Sequence, residues 1–456
     1  MNTDKEIDLF GLKASSFGPD FKFGVATSAY QIEGAYDADG KGPSIWDTFT
    51  HKKRWPIPTV LTGENGDVAC DFYHLYKEDI ALMGTLGFKV NRFSISWPRI
   101  LPDGNGRVNQ KGLDFYSRVV DESLANGIEP WITLYHWDLP QALQNNGGWK
   151  NRQIISSFSN YVDVVSKALG DRVKNWMVFN EPMSFCIGGY LLGIHAPGEI
   201  GPKGFMQAVH NVNLCQAKAA QIIRGNDSSA QVGTTHVVAP ISHKGRNNNP
   251  TKAEKSADAL LHKIFLEPNL GLGYPVKENP IVSLVERYIV GDDADDIKVD
   301  FDFIGVQYYS PSLAIPVPYL HSIPVPLRGI KGQDRDQMGH FVNPSGLYDA
   351  LVRIDSYEGV KKLIITENGM SLPDVVEGDR VYDLRRIDYL RQHLNTVKRA
   401  QDNGIPVSGY FYWSFLDNFE WALGFKPRFG IVHVDKNTLK RTPKDSAYWI
   451  QKFLQN

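Results

Sequence analysis

Eight short apolar segments alternate with eight amphipathic helical patterns along the 456-residue chain. The predicted strands are residues 21–26, 89–94, 129–135, 174–179, 231–238, 301–306, 362–366 and 406–412. The predicted helices are residues 70–86, 110–126, 151–169, 204–224, 251–266, 343–355, 381–401 and 443–454. Such alternation indicates parallel strands joined by helical crossovers, and eight strands close a barrel. The pattern predicts an α/β chain, a single-domain (β/α)8 TIM barrel over residues 1–456.

An open, doubly wound sheet is the alternative fold for this pattern. It would place a glycine-rich phosphate-binding turn after its first strand. The segment FGVATSAYQIEG at the first predicted strand has no such pattern, and no P-loop sequence occurs in the chain. The pattern therefore favours the barrel and leaves the open sheet as the alternative.

Two connections in the predicted barrel are long. Residues 37–67 follow the first strand, and residues 310–341 follow the sixth. Connections of this length in a compact domain usually carry function. Both leave the carboxyl ends of strands, the face on which barrel active sites lie. We expect these long βα loops to shape an active-site pocket at the C-terminal face.

Charge and cysteine content exclude several classes of partner. The formal net charge is −2 and no basic block occurs, which argues against nucleic acid and anionic membranes as partners. No run of about eighteen apolar residues occurs, so no membrane span is predicted. The three cysteines, Cys70, Cys186 and Cys215, and the absence of a signal-peptide pattern in the first residues predict a reducing, cytoplasmic location.

Polar and aromatic residues recur where the predicted strands end. In a barrel these ends meet at one mouth, so the side chains are expected to converge there. The strand-end residues are Gln31, Glu33, Arg92, His136, Trp137, Asn180, Glu181, Gln307, Tyr309, Glu367, Trp413, Glu420 and Trp421.

Two of the glutamates among these residues, Glu181 and Glu367, end strands from opposite parts of the barrel. A pair of carboxyl groups across a pocket indicates glycoside hydrolysis, in which one is protonated and the other ionised. Arg92 and Tyr309 would flank Glu367 in barrel order, and an arginine favours the ionised form. Glu181 has no basic neighbour in sequence and is the better candidate for the acid.

Each of these residues has an ordinary structural alternative when taken alone. Glu181 could charge the first turn of a helix that begins at Pro182, and Glu367 could be a plain turn residue before Asn368-Gly369. His136 and the tryptophans could be core residues. No metal cofactor is predicted, because neither an H-E-x-x-H motif nor a cysteine pair with ligand spacing occurs. The joint pattern on one face favours the catalytic interpretation.

The motifs in this order resemble those of the family 1 glycoside hydrolases, the β-glucosidase family. They are FKFGVATSAYQIEGA, NRFSISWPRI, LYHWDLPQAL, FNEPMSF, IITENGM and YFYWSFLDNFEWALGF, followed by RFGIVHVD and RTPKDSAYW. The resemblance spans residues 17–449. It implies a (β/α)8 barrel and a retaining mechanism that uses no cofactor.

The resemblance also implies roles for individual residues. Glu181 would be the general acid/base and Glu367 the nucleophile, with Arg92 supporting the nucleophile. The substrate-binding residues would be Gln31, His136, Trp137, Asn180, Tyr309, Trp413, Glu420, Trp421 and Phe429. One departure from the family pattern is Gln307, where asparagine is usual. It is expected to alter either contacts to the leaving group or the seating of the acid/base.

The implied function is that of a retaining exo-β-glucosidase. It would release terminal non-reducing β-D-glucosyl residues from β-glucosides or short β-linked oligosaccharides, as in cellulose degradation. A broad β-galactosidase or β-fucosidase and a transglycosylase are alternatives on the same site, and a non-catalytic sugar-binding barrel is a remote one. The expected partner is a small glycoside or oligosaccharide. The sequence leaves the oligomeric state open.

Overall fold

Eight parallel strands close into a barrel in the computed structural model, which describes residues 12–52, 58–241, 250–317, 321–326 and 334–456. The strands are β1 Lys22–Ala26, β2 Val90–Ser94, β3 Glu129–Tyr135, β4 Asn175–Asn180, β5 Gln231–Val237, β6 Phe303–Gln307, β7 Leu363–Asn368 and β8 Val407–Trp413. Each strand pairs in parallel with its sequence neighbours, and β8 pairs with β1. The predicted TIM barrel is confirmed, and the open sheet is excluded.

A principal helix follows each strand and covers the barrel. The helices are α1 Phe72–Thr85, α2 Gln110–Ala125, α3 Ile154–Leu169, α4 Pro202–Asn226, α5 Lys252–Asp258, α6 Pro344–Asp355, α7 Leu384–Asp402 and α8 Asp445–Leu454. A wider helical turn, Ala259–Lys263, and the short helix Ile264–Leu266 continue α5. All eight helices overlap the predicted ones, so the predicted alternation holds in every unit.

Shorter elements occupy the connections. Short helices span Ala14–Phe17, Ala29–Ile32, Ala38–Gly40, Ile45–His51, Trp97–Ile100, Gln141–Asn145, Gly148–Lys150, Pro182–Cys186, Ile187–Leu191, Val282–Tyr288, Asp293–Asp296 and Trp421–Leu423. Three two-stranded antiparallel sheets pair Ser312–Val317 with His321–Pro326, Val376–Glu377 with Arg380–Val381, and Val432–Val434 with Arg441–Pro443. The first of these sheets lies in the long loop of residues 310–341, for which no strands were predicted.

Large side chains fill the barrel interior. One buried cluster contains Ala26, Val90, Trp131, Met177, Phe303, Ile364, Phe411, Trp413 and Phe429. The ring of Trp131 lies 5.3 Å from that of Phe303 and 5.1 Å from that of Phe411, measured between centroids. Barrel interiors of this kind are packed cores, so an opening at the carboxyl ends of the strands has a floor of apolar side chains.

The strand β7 ends later than predicted. It continues past residue 366 to Asn368, so Glu367 lies inside the strand and is not a turn residue. The Asn368 side chain is buried, and its Nδ2 donates to the Tyr308 carbonyl at 2.6 Å and to the Tyr389 hydroxyl at 2.7 Å. These bonds satisfy an amide that would otherwise favour a turn.

Parts of the two predicted long loops, including Trp55, lie outside the described residues, which omit residues 53–57, 318–320 and 327–333. All three cysteines are free and buried. Across the described ranges, no helix is long and apolar enough to cross a membrane.

Candidate active site

A cavity of about 390 Å³ opens at the carboxyl ends of the strands. Most of the predicted site residues line it, namely His136, Trp137, Asn180, Glu181, Tyr309, Glu367, Trp413, Glu420, Trp421 and Phe429. Arg92 and Gln31 contact lining residues from behind: Arg92 bonds Glu367, and Gln31 reaches Glu420. The structure therefore brings these residues together at one mouth. Glu33 was expected there as well, but it lies outside the cavity lining, where its carboxylate pairs with Arg99 at 3.0 Å.

A bulge in β7 aims Glu367 at this cavity. Ile365 and Glu367 pair with the consecutive residues Val306 and Gln307 of β6, so β7 carries one extra residue there. Because Ile364 points into the barrel interior, a regular strand would send Glu367 outward toward the helices. The extra residue reverses the alternation, as bulges beside active sites often do.

The strand β4 contains a second bulge just before its carboxyl end. Met177 and Asn180 pair with Gly233 and Thr235 of β5, so three steps along β4 match two along β5. Met177 points into the interior, and a regular strand would turn Asn180 away from it. The bulge brings Asn180 to the cavity wall and places Glu181 directly after it.

Glu367 is held by two donors. Arg92 Nη1 donates to its Oε1 at 2.5 Å, and the Tyr309 hydroxyl donates to its Oε2 at 2.7 Å, the contact expected for Tyr309. Burial raises the pKa of Glu367, while Arg92 and Tyr309 counter that rise. Both carboxyl oxygens are thus stabilised in the ionised form and fixed in orientation.

Glu181 has a different environment. It is buried, its backbone has a φ of 45°, and it precedes the short helix Pro182–Cys186. Ser184 Oγ donates to its Oε2 at 2.6 Å. Burial, and next the charge of Glu367, raise the pKa of Glu181 to about 8. Glu181 is the N-cap residue of this helix, but its side chain makes no capping hydrogen bond to it.

Asn180 is oriented by three donors. Its Oδ1 accepts from Arg92 Nη2 at 2.5 Å, Gln307 Nε2 at 2.7 Å and Thr235 Oγ1 at 3.2 Å. Its Nδ2 must then face the other way, where it lies 3.0 Å from His136 Nε2. Burial lowers the pKa of His136 well below its usual value, so Nε2 accepts this bond and Nδ1 carries the ring proton.

Gln307 and Thr235 contact Asn180, and neither contact was predicted from the sequence. Gln307 is fully buried behind Asn180, so of its two expected effects the structure supports the one near the acid/base. Its extra methylene lets the amide of a β6 residue reach Asn180 on β4. The departure from the family pattern at Gln307 was the one signal of this contact in the sequence.

A model of glycosyl hydrolase family 1 matches residues 13–456. The chain belongs to glycosyl hydrolase family 1. The predicted family resemblance is thereby confirmed over nearly the whole chain.

Individual relatives of this family 1 protein are similar over almost their full length. Beta-glucosidase A of Thermotoga maritima is 42% identical, over 98% of this chain and 99% of its own. Beta-glucosidase A of Acetivibrio thermocellus is also 42% identical, over 97% and 98%. A solved structure of beta-glucosidase from Thermotoga maritima in complex with glucoimidazole superposes with a TM-score of 0.89 at 41% identity, covering 96% of this chain and 98% of that one.

The remaining polar groups of the family 1 site surround Glu420. Gln31 Nε2 donates to the Phe419 carbonyl at 2.9 Å and to Asn418 Oδ1 at 3.1 Å, and lies 3.5 Å from Glu420 Oε2. Burial, and next the charges of Glu367 and Glu181, raise the pKa of Glu420 to about 8. These carboxyl groups share one buried site, so they do not all ionise at neutral pH.

Tryptophans form one wall of the cavity. Trp137 and Trp421 have ring centroids 4.5 Å apart, and Trp46 of the first long loop packs behind Trp421 at 4.7 Å. The indole Nε1 of Trp137 donates to the Asn180 carbonyl at 2.9 Å. Trp137 therefore contributes its ring surface, since its only donor is already used. Trp413, at the end of β8, stacks against His136 at 5.8 Å.

Aliphatic residues that no sequence motif indicated also line the cavity. They are Met183, Ile187, Leu192, Ile194, Val237 and Leu261. Apolar residues in a loop carry no distinct motif, because the same residues serve equally well in a core. The second long loop adds Met338 and His340 to the lining, as expected for a pocket-forming loop.

Proposed function

We propose that this family 1 protein is a retaining exo-β-glucosidase with Glu367 as nucleophile and Glu181 as general acid/base. The observation that carries the proposal is the unequal environment of two carboxyl groups on one cavity. Glu367 is bonded by a guanidinium and a phenol, whereas Glu181 receives only a serine hydroxyl and has a raised pKa. The names of the relatives support a β-glucosidase.

The proposed reaction has two displacements. Glu367 attacks the anomeric carbon while Glu181 protonates the glycosidic oxygen, which breaks the bond to the leaving group and forms a glycosyl ester. Glu181, now ionised, removes a proton from water, and the water oxygen attacks the anomeric carbon. The ester bond breaks and Glu367 regains its negative charge. Arg92 and Tyr309 stabilise that carboxylate when it leaves.

The hydroxyls of the terminal glucosyl residue would be bound by the polar groups of the site. Asn180 Nδ2 and the ring nitrogen Nδ1 of His136 are the donors, since Asn180 Oδ1 is occupied and Nδ1 has no partner among the described residues. Glu420 would bind hydroxyls at the far end of the ring together with Gln31 and Trp421. Trp413 would stack on the sugar face, and Phe429 would close the site near C6.

A purified sample is expected to hydrolyse 4-nitrophenyl β-D-glucoside with retention. Two displacements at one carbon restore the original configuration, so the first product should be β-glucose. Proton NMR during the first minutes of reaction resolves the two anomers before mutarotation mixes them. An α-glucose product would exclude Glu367 as nucleophile, and binding without any hydrolysis would favour the non-catalytic barrel.

The rate is expected to follow a bell-shaped dependence on pH. Glu367 must be ionised, so activity falls on the acid side as its raised pKa is crossed. Glu181 must be protonated, so kcat/KM falls as the pH rises through its pKa of about 8. The measurement is kcat/KM for the 4-nitrophenyl glucoside across both limbs. A curve without an alkaline limb would contradict the role of Glu181.

A β-galactosidase or β-fucosidase side activity and transglycosylation would use the same residues, and a panel of aryl glycosides with product analysis separates them. Residues 1–456 are proposed to form one domain, since the eight parallel strands close one barrel and the family match covers residues 13–456. The cytoplasmic location stays a prediction, with which three free, buried cysteines are consistent.

A further inference from the structure

The position of Glu181 defines where the leaving group lies, given the proposed roles of the two glutamates. The acid must reach the glycosidic oxygen, and the nucleophile attacks the anomeric carbon from the opposite face. The leaving group therefore extends past Glu181, away from Glu367. We call this part of the cavity the leaving-group side.

Aliphatic side chains surround the leaving-group side. Glu181 is followed directly by the helix Pro182–Cys186 and the wider turn Ile187–Leu191, and this segment continues to His195 along the cavity. The end of β5 and the turn after α5 complete this side. Together they present Met183, Ile187, Leu192, Ile194, Val237 and Leu261 to the cavity.

Two polar residues of this segment, Ser184 and His195, also line the cavity. The hydroxyl of Ser184 is used by Glu181, to which it donates at 2.6 Å. Burial lowers the pKa of His195 to about 4, so its ring is neutral at physiological pH. Between Met183 and His195, the described lining thus carries no charge. The glucosyl side differs, because carboxyl, amide and imidazole groups face it.

The rim of this side exposes apolar surface to water. Leu192 is 44% exposed and Ile194 is 56% exposed, although both line the cavity. An apolar ligand that covers them would release the water around them, which favours binding. A sugar in the same place would also lose water from its hydroxyls. From Met183 to His195 the lining offers those hydroxyls only the His195 ring, because the Ser184 hydroxyl is donated to Glu181.

We propose that the leaving-group side selects β-glucosides of apolar alcohols, alkyl or aryl, over β-glucosides whose leaving group is a second sugar. The selection comes from the aliphatic wall beside Glu181. The proposed function allows two substrate classes, simple β-glucosides and short β-linked oligosaccharides. This proposal states which of the two the enzyme prefers.

The test compares hexyl β-D-glucoside, methyl β-D-glucoside and cellobiose. All three release an alcohol, so differences in leaving-group reactivity are small and kcat/KM reports contacts on the leaving-group side. We expect kcat/KM for the hexyl glucoside to exceed that of both other substrates about tenfold. A cellobiose value equal to or above the hexyl value would overturn the proposal. Failure to hydrolyse any β-glucoside, the 4-nitrophenyl glucoside included, would instead overturn the proposed function.

Two variants locate the effect. Leu192→Asn replaces apolar rim surface with an amide and should lower the hexyl-to-methyl ratio of kcat/KM about fivefold. Ile200→Asn is the matched control, because Ile200 is 73% exposed on the same loop and lies outside the cavity lining. Its ratio should equal that of the unchanged protein. An unchanged ratio in Leu192→Asn would show that the wall does not select the leaving group.

Discussion

Replacing Glu367 with alanine is expected to reduce hydrolysis of 4-nitrophenyl β-D-glucoside by a factor on the order of 10⁵. The substitution removes the atom that would attack the anomeric carbon and leaves Arg92 and Tyr309 without their shared acceptor. Steady-state kinetics at the pH optimum measures the loss. Circular dichroism and thermal melting report whether the barrel is intact.

Added azide separates loss of the nucleophile from loss of structure. In Glu367→Ala the vacated space admits a small anion, which attacks the anomeric carbon once and yields the inverted α-glucosyl azide. The control is Glu377→Ala, because Glu377 lies in the exposed hairpin of Val376–Glu377 and Arg380–Val381 and should keep full activity. Undiminished hydrolysis in Glu367→Ala would refute the assignment of the nucleophile.

Replacing Glu181 with alanine is expected to give a loss that depends on the leaving group. An alkyl glucoside needs its oxygen protonated, so its rate should fall on the order of 10³-fold. A dinitrophenyl glucoside leaves without a proton, so its first displacement should be nearly unaffected. Kinetics on a series of aryl and alkyl β-glucosides, plotted against the pKa of the leaving alcohol, measures this dependence.

The pH profile provides a second test of the same variant. The alkaline limb should disappear in Glu181→Ala, because the general acid whose raised pKa sets this limb is gone. Azide should now replace water in the second displacement and yield the retained β-glucosyl azide. Equal losses for every leaving group, together with a preserved alkaline limb, would show that another residue is the acid.

The barrel was predictable because the same pair of segments, one apolar and one amphipathic, is repeated along the chain. Each apolar segment and each amphipathic segment is a local signal, and eight pairs of them leave few architectures open. The end of β7 shows that local signals do not include tertiary contacts. Asn368 favours a turn by its own chemistry, but Tyr308 and Tyr389 satisfy its amide inside the strand. Tyr308 lies far before the strand end in sequence, and Tyr389 follows it on α7. No local sequence pattern therefore reveals either partner.

The site was predictable to the extent that strand ends converge. His136, Asn180, Glu181 and Glu367 could be gathered from sequence because parallel strands in a barrel end on one face. The contacts among them could not, since they depend on side-chain direction across the barrel. Gln307 reaches Asn180 from two strands away, a contact that the chain order does not show. The aliphatic wall was missed because Leu192 and Ile194 are apolar residues without a motif.

The paired bulges in β4 and β7 have a consequence for transplanting this site. A designer who copied the two strand sequences onto a regular, evenly pleated barrel would keep every residue of the proposed site that these strands carry. Asn180 and Glu367 would nevertheless face the helical shell, because each depends on one surplus residue for its direction. Removing a single residue upstream in either strand would have the same effect in the natural chain. Insertions and deletions there should therefore be far less tolerated than substitutions at neighbouring positions.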